Sequence, residues 1–368
     1  MKYYIIAGEA SGDLHGSNLI KELLKLDGQA DIRCWGGDLM KVAGGNLIKH
    51  YKELAFMGFI EVARNLKTIL RNLKFCKQDI SEYRPDALIL IDYPGFNLRI
   101  AEWAKKHQHT VIFYISPQVW AWNEKRVMAI KKCVDKMLVI LPFEKTFYRK
   151  WNYEVEYVGH PLVEVTESWP LSSGKKGNGK PIVALLPGSR KQEILKKLPV
   201  MLEVSKLFSD HLFVVAKAPG QEDAFYSSML AAYPGVSSVR ETYDLLSQSE
   251  AALVTSGTAT LETALFAVPQ VVCYKGSRVS YWIARRLIKV KYISLVNLIM
   301  DREVVKELIQ DQLTVENVKR ELHLLLYDTN KKNQLQHDYA NLKKLLSEGG
   351  NASSNAARSI VNFLEQDQ

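Results

Sequence analysis

Short apolar, β-rich runs separated by longer stretches of helical periodicity recur through most of the 368 residues. This alternation constrains the fold more than any other feature. Strands are expected at 3–7, 32–35, 87–91, 111–115, 137–141 and 155–158. After a break they are expected at 182–186, 212–216, 236–240, 251–255 and 270–274. The runs are apolar without alternating, which suits strands buried on both faces of a parallel sheet. The helical stretches supply the crossovers of βαβ units. The break is SSGKKGNGKP at 172–181, rich in glycine, lysine and serine and lacking apolar periodicity. The organisation expected is a first domain over 1–171, a linker over 172–181, a second domain over 182–350, and a closing helix within 351–368 that can pack back on the first domain. Doubly wound sheets place ligands at the carboxyl ends of their strands. Two such Rossmann-like α/β domains facing across a cleft would hold a ligand between them.

Hydrophobic residues at 47% and charged residues at 24% exclude disordered and fibrous classes. No apolar run approaches the ~20 residues of a membrane span. The start, MKYYIIAGEASGD, reads as a first strand rather than a signal peptide, so the cytosol is the expected compartment. Four cysteines (Cys34, Cys76, Cys133 and Cys273) are scattered with no CxxC, and HExxH is absent. Neither a disulfide framework nor a zinc site is expected. The net charge of +9 is shared by both halves and suits anionic partners: phosphates, nucleotides or an acidic membrane surface.

Several strand ends carry candidate chemistry. After the first strand, AGEASGDLHG has glycines at 8, 12 and 16. This spacing matches neither GxGxxG nor a P-loop. Small residues such as Gly12 still admit a ligand to the backbone, and Glu9, Asp13 and His15 bring ionisable groups. The structural alternative is a tight turn with Ser11 or Asp13 as helix cap. Asp92, directly after the run at 87–91, is a candidate general base whose burial would tune its pKa; the alternative is an Asx-turn helped by Pro94-Gly95. Gln118, Trp120 and Trp122 in SPQVWAW can form a sugar- or acyl-binding wall, or the tryptophans can be core. In the second half, Gly188, Ser189 and Arg190 of LLPGSR combine a glycine turn, a hydroxyl and a bidentate cation, the parts of a phosphate cradle. Ser256, Gly257, Thr258 and Thr260 open a helix and would meet a diphosphate, and Glu262 could accept from both hydroxyls of a ribose. Either motif alone could be an ordinary βα turn; together they point to a nucleotide-diphosphate site. Two basic amphipathic helices are expected at 56–77 and 281–289. The first begins with the greasy Phe56, Met57 and Phe59, and either could lie on anionic lipid or simply face a core.

In order from residue 7 to 299, the motifs AGEASGDLHG, IDYPGFN, SPQVWAW, LPFE, VGHP, LLPGSR, SGTATLETAL and SLVNLI resemble those of the lipid-A-disaccharide synthases. Gly95 and Val296 stand where members of that family often carry an acidic residue and a proline. The resemblance implies a GT-B fold and an inverting, metal-free hexosyltransferase. Such an enzyme moves 2,3-diacylglucosamine from UDP-2,3-diacylglucosamine to the 6-hydroxyl of 2,3-diacylglucosamine 1-phosphate (lipid X), giving the disaccharide 1-phosphate and UDP. No cofactor, metal or nucleic acid is implied.

On that basis the second domain is expected to bind UDP, with Asn297 of SLVNLI helping, while the first holds the acceptor and Asp92 takes its proton. Glu9 is the main rival for that role; Asp13 and His15 follow. Acylated substrates imply peripheral attachment to the cytoplasmic face of a Gram-negative inner membrane, with Phe56, Met57 and Phe59 as docking residues; a homo-oligomer is compatible. The rival readings are another UDP-sugar enzyme of the same architecture, such as a UDP-N-acetylglucosamine 2-epimerase, and a membrane-attached nucleotide-binding scaffold.

Overall fold

Each expected apolar run becomes a strand of a parallel sheet in the computed structural model, which describes residues 1–54, 66–169, 179–277 and 290–366. The chain divides into two units, Met1–Pro161 with Leu346–Gln368, and Leu162–Leu345. The first holds β1 (Lys2–Ala7), β2 (Asp31–Gly36), β3 (Asn46–His50), β4 (Ala87–Ile91), β5 (Val111–Tyr114), β6 (Lys136–Val139) and β7 (Glu156–Tyr157). Their order across the sheet is β3-β2-β1-β4-β5-β6-β7. The second unit holds β8 (Ile182–Leu186), β9 (Leu212–Ala216), β10 (Val236–Val239), β11 (Ser249–Thr255), β12 (Gln270–Tyr274) and β13 (Lys306–Ile309), in the order β10-β9-β8-β11-β12-β13.

In the first sheet the strands read as unbroken apolar runs because both faces are covered. Tyr4, Ile6, Leu88 and Leu90 enter one core, and Tyr3, Ile5, Ile89 and Ile91 enter the core on the opposite face. The second core also takes Ala356, Ile360 and Leu364 of the closing helix Ala352–Gln366, which packs on the helix Ala10–Leu26. In the second unit Ala184, Leu186, Val214, Ala216, Ala252 and Val254 share one core.

Each sheet is wound outward in both directions from its centre, so the strand order reverses between β1 and β4 in the first unit and between β8 and β11 in the second. Those switch points are where a doubly wound sheet opens a crevice beyond its carboxyl ends. The unit division falls at Pro161/Leu162 and Leu345/Leu346. Most of the stretch expected as a linker, 172–178, lies outside the described residues, as do Phe56, Met57, Phe59 and the basic segment 281–289.

Candidate functional site

In the first unit, Ala7 pairs with Ile91, so the turns that follow β1 and β4 lie side by side. Gly8 has no substitute there, because a Cβ would collide with the Tyr93 ring. Asp92 (φ 44°) and Tyr93 (φ 49°) are both left-handed, a conformation that costs a non-glycine residue energy and persists only where neighbours enforce it. The enforcing groups are visible. Fully buried Asn97 donates to the carbonyls of Asp92 (2.8 Å) and Ile91 (3.2 Å), and the Tyr93 hydroxyl donates to Leu54 O at 3.0 Å. Pro94 then opens the helix Pro94–Lys106. Desolvation, followed by the charge of Glu9, pushes the Asp92 carboxyl up to about 7. A carboxylate with that proton affinity at a strained strand end is suited to accept a proton near neutral pH.

The other residues expected at this edge separate into two groups. Ser11 and Gln118 are exposed, and Trp122 is 43% exposed with the Arg126 guanidinium 4.6 Å from its ring centre. Asp13 instead accepts from the backbone N–H of Gly37 (2.8 Å), Met40 (3.0 Å) and Leu39 (3.2 Å), capping the short helix Asp38–Val42. That occupation makes it a fold-holding residue rather than a free base. Gly12 lets its helix rest on Ala7. His15 is buried and held neutral, its pKa lowered by burial to about 4; His160 is lowered to about 3, by burial first and then by repulsion between the two imidazoles were both to take a proton. Trp120 is core: it packs edge-on to Phe143 and its indole donates to Glu144 at 3.2 Å. Glu144, 1% exposed, also receives Leu141 N at 3.0 Å, and burial pushes it up to about 7. Sequence reasoning did not single out Glu144, Asn97 or His160 as individual residues, although each lies in a motif of the resemblance.

In the second unit Leu186 pairs with Val254, which brings the turns after β8 and β11 together. Gly188 (φ 121°) and Gly257 (φ 131°) make those turns in backbone conformations that favour glycine. They precede the helices Lys191–Ser205 and Thr258–Leu265, whose first N–H groups have no intrahelical partner. Two helix starts flank one switch point, with exposed Ser189, Arg190 and Thr258 on them, and helix starts of this kind can accept an anion. Ser256 lies on the second turn, its hydroxyl donating to Ile293 O at 2.7 Å. Glu262 accepts from Tyr243 OH at 2.9 Å, and burial raises its pKa.

Two expected ligand residues have other duties. The Thr260 hydroxyl donates to Gly257 O at 2.8 Å and closes the turn. The Asn297 side chain is fully buried; it donates to Val305 O and Glu307 and accepts from Val304 N and Val305 N, all at 2.8–2.9 Å. Lys197, not foreseen, is buried beneath the Gly188 turn and bonded to Thr255.

The family model described as lipid-A-disaccharide synthetase matches residues 3–361. The lipid-A-disaccharide synthase of Syntrophus aciditrophicus is 39% identical over 375 residues, covering 99% of this chain and 98% of the relative. That of Geobacter metallireducens is 39% identical, covering 94% of this chain and 93% of the relative. Among solved structures, the UDP-GlcNAc 2-epimerase of Neisseria meningitidis bound to UDP-GlcNAc superposes with TM-score 0.67 at 13% identity, covering 100% of each chain. The glycotransferase of kitacinnamycin gives 0.68 at 13%, covering 98% of each. At those identities the likeness to solved structures is one of fold, the GT-B type.

Proposed function

The chain belongs to the lipid-A-disaccharide synthetase family and is a glycosyltransferase that forms the lipid A disaccharide; from that premise we propose how its own residues divide the work. The second unit takes the UDP-sugar. The helix starts at Lys191 and Thr258 and the Arg190 guanidinium stabilise the diphosphate as negative charge develops on it, work that needs only donors and positive potential. Gly188, Ser189, Ser256 and Gly257 let the backbone reach the phosphates. Glu262, held by Tyr243, accepts from the ribose. The first unit takes lipid X and removes the proton from its 6-hydroxyl. The hydroxyl oxygen bonds to the anomeric carbon as the bond from that carbon to the diphosphate breaks. The proton goes to Asp92, the electron pair leaves with UDP, and the configuration inverts.

The observation that carries this division is that both sets of residues fall at the switch points of their sheets, Glu9 and Asp92 at one, Gly188–Arg190 and Ser256–Thr258 at the other. The epimerase reading shares the donor site but rests on fold likeness at 13% identity, against 39% for the synthase relative. Mass spectrometry after mixing protein, UDP-2,3-diacylglucosamine and lipid X tests the substrates. A disaccharide 1-phosphate with release of UDP supports the proposal; conversion of the nucleotide sugar without acceptor contradicts it.

Acylated substrates also require a lipid surface. The helix Leu66–Tyr83 turns Lys67, Leu70, Arg71 and Lys74 outward, with Leu70 53% and Phe75 44% exposed. A basic stripe carrying apolar side chains suits peripheral binding to anionic lipid. No described helix is long and apolar enough to cross a membrane. Vesicles containing phosphatidylglycerol should retain the protein, and serine at Leu70 and Phe75 should weaken retention; equal retention would remove this face from the membrane contact.

A further inference from the structure

Lys197 is 2% exposed, on a helix where Leu195, two positions earlier, is 48% exposed. An ammonium is costly to bury unless it is paired and hydrogen-bonded. Here it bonds to the Thr255 hydroxyl at the end of β11 and lies 3.8 Å from Glu193 Oε2. Glu193 Oε1 in turn accepts from the Arg190 guanidinium at 3.4 Å. Both Glu193 and Lys197 sit directly under Gly188: a Cβ there would come within 2.7 Å of the carboxylate and 3.6 Å of the ammonium. The four side chains therefore form a row, Arg190–Glu193–Lys197–Thr255, running under the turn after β8 and ending at the last residue of β11. Arg190, at one end, is 55% exposed; Lys197 is enclosed.

The row has an electrostatic consequence. A diphosphate that draws Arg190 to itself leaves Glu193 facing an anion with one counter-charge fewer. A carboxylate in that position opposes the ligand unless another cation stays with it. The buried ammonium is fixed on the far side of Glu193 and remains there whichever partner Arg190 takes. It also links its helix to the last residue of β11 through the Thr255 hydroxyl.

We infer that Lys197 is a positioning residue of the donor site: it neutralises Glu193 from beneath and so frees Arg190 for the diphosphate of a nucleoside-diphosphate sugar. This rests on the donor reading given above for Gly188–Arg190. Lys197 is enclosed and acts through Glu193 and Arg190.

Calorimetric titration with UDP, together with donor KM and kcat, tests it on full-length variants. Lys197→Met should weaken UDP binding at least about tenfold and raise donor KM similarly, with kcat changed less than about threefold at saturation. Adding Glu193→Gln to Lys197→Met should return affinity to within about threefold of the parent, because the carboxylate that needed neutralising is gone. A purely structural lysine would give no such rescue. Should Lys197→Met not fold, Lys197→Gln keeps a donor for Thr255 without the charge and should show the same loss and the same rescue. The inference is overturned if the lysine variant binds UDP as the parent does, or if the double variant binds no better than the single. Arg190→Ala separates this from the donor reading. Loss of UDP affinity in Arg190→Ala with none in the lysine variant sinks only the inference, and parental affinity in both sinks the donor reading.

Discussion

The charge on Glu9 strengthens the hold of Asp92 on its proton across the gap between two neighbouring strand ends. Desolvation makes the larger contribution, and the like charge adds to it. Removing Glu9's charge should therefore lower the Asp92 pKa without restoring it to the ordinary carboxylate value. In Glu9→Gln, the acid limb of the kcat/KM profile should move below the value near 7 set by Asp92. A profile superimposable on that of the parent would show that the two carboxylates do not interact.

The same perturbation makes a stability prediction. The folded-state pKa of Asp92 is raised from 3.8 to about 7, so the folded protein binds that proton more tightly than the unfolded chain. The resulting stabilisation is complete below pH 4 and is lost as pH rises to 7. Asn at this position carries no charge to desolvate. Asp92→Asn should leave the melting temperature nearly unchanged at about pH 4, where the parent still holds the proton in both states. At pH 8 it should gain on the order of 1–2 kcal/mol, a few degrees. A variant less stable than the parent at pH 8 would contradict the origin given for the shift.

Asp13 should behave as a structural residue. Replacing it by alanine leaves the N–H groups of Gly37, Leu39 and Met40 without their acceptor and should cost about 2–4 kcal/mol in thermal or denaturant unfolding. Asn, which keeps an acceptor oxygen, should recover part of that stability. Turnover per folded molecule should stay within a few-fold of the parent in both variants; a loss of a hundredfold in well-folded Asp13→Asn would return it to the chemistry.

Glu144 should couple stability to the environment of Trp120. Glu144→Ala strands the buried indole N–H and frees the backbone N–H of Leu141, so unfolding should become easier by about 2–3 kcal/mol. The emission of Trp120 should shift, read against a Trp120→Phe control. Unchanged stability and emission would show that the indole does not depend on this carboxylate.

How far the sequence alone reveals this molecule follows from where each side chain finds its partners. Strands buried on both faces announce themselves, as at 87–91. The edge strands β3 and β13 were not anticipated, because Asn46–His50 and Lys306–Ile309 each have only one neighbouring strand and carry charged residues among the apolar ones. Asp92 was legible because a carboxylate directly after an apolar strand is unusual whatever follows. Asp13 was not, since its partners lie 24 to 27 residues away in a turn with no motif of its own. Asn297 was expected at the donor site only from its place in SLVNLI, and the fold uses both its donor and its acceptor internally. The two tryptophans of SPQVWAW took opposite fates, Trp120 buried and Trp122 exposed, a difference that two-residue spacing on a short helix does not decide. No sequence pattern marks Lys197, and only the three-dimensional position of Thr255 and Glu193 shows where its charge is held.

Turnover of Asp92→Asn, measured alongside its affinity for UDP, tests proton removal by the first unit most directly. With UDP-2,3-diacylglucosamine and lipid X as substrates, kcat should fall by at least about 10²-fold while UDP binding stays within twofold of the parent. Turnover within a few-fold of the parent, with UDP binding intact, would contradict the account and leave the proton to another group.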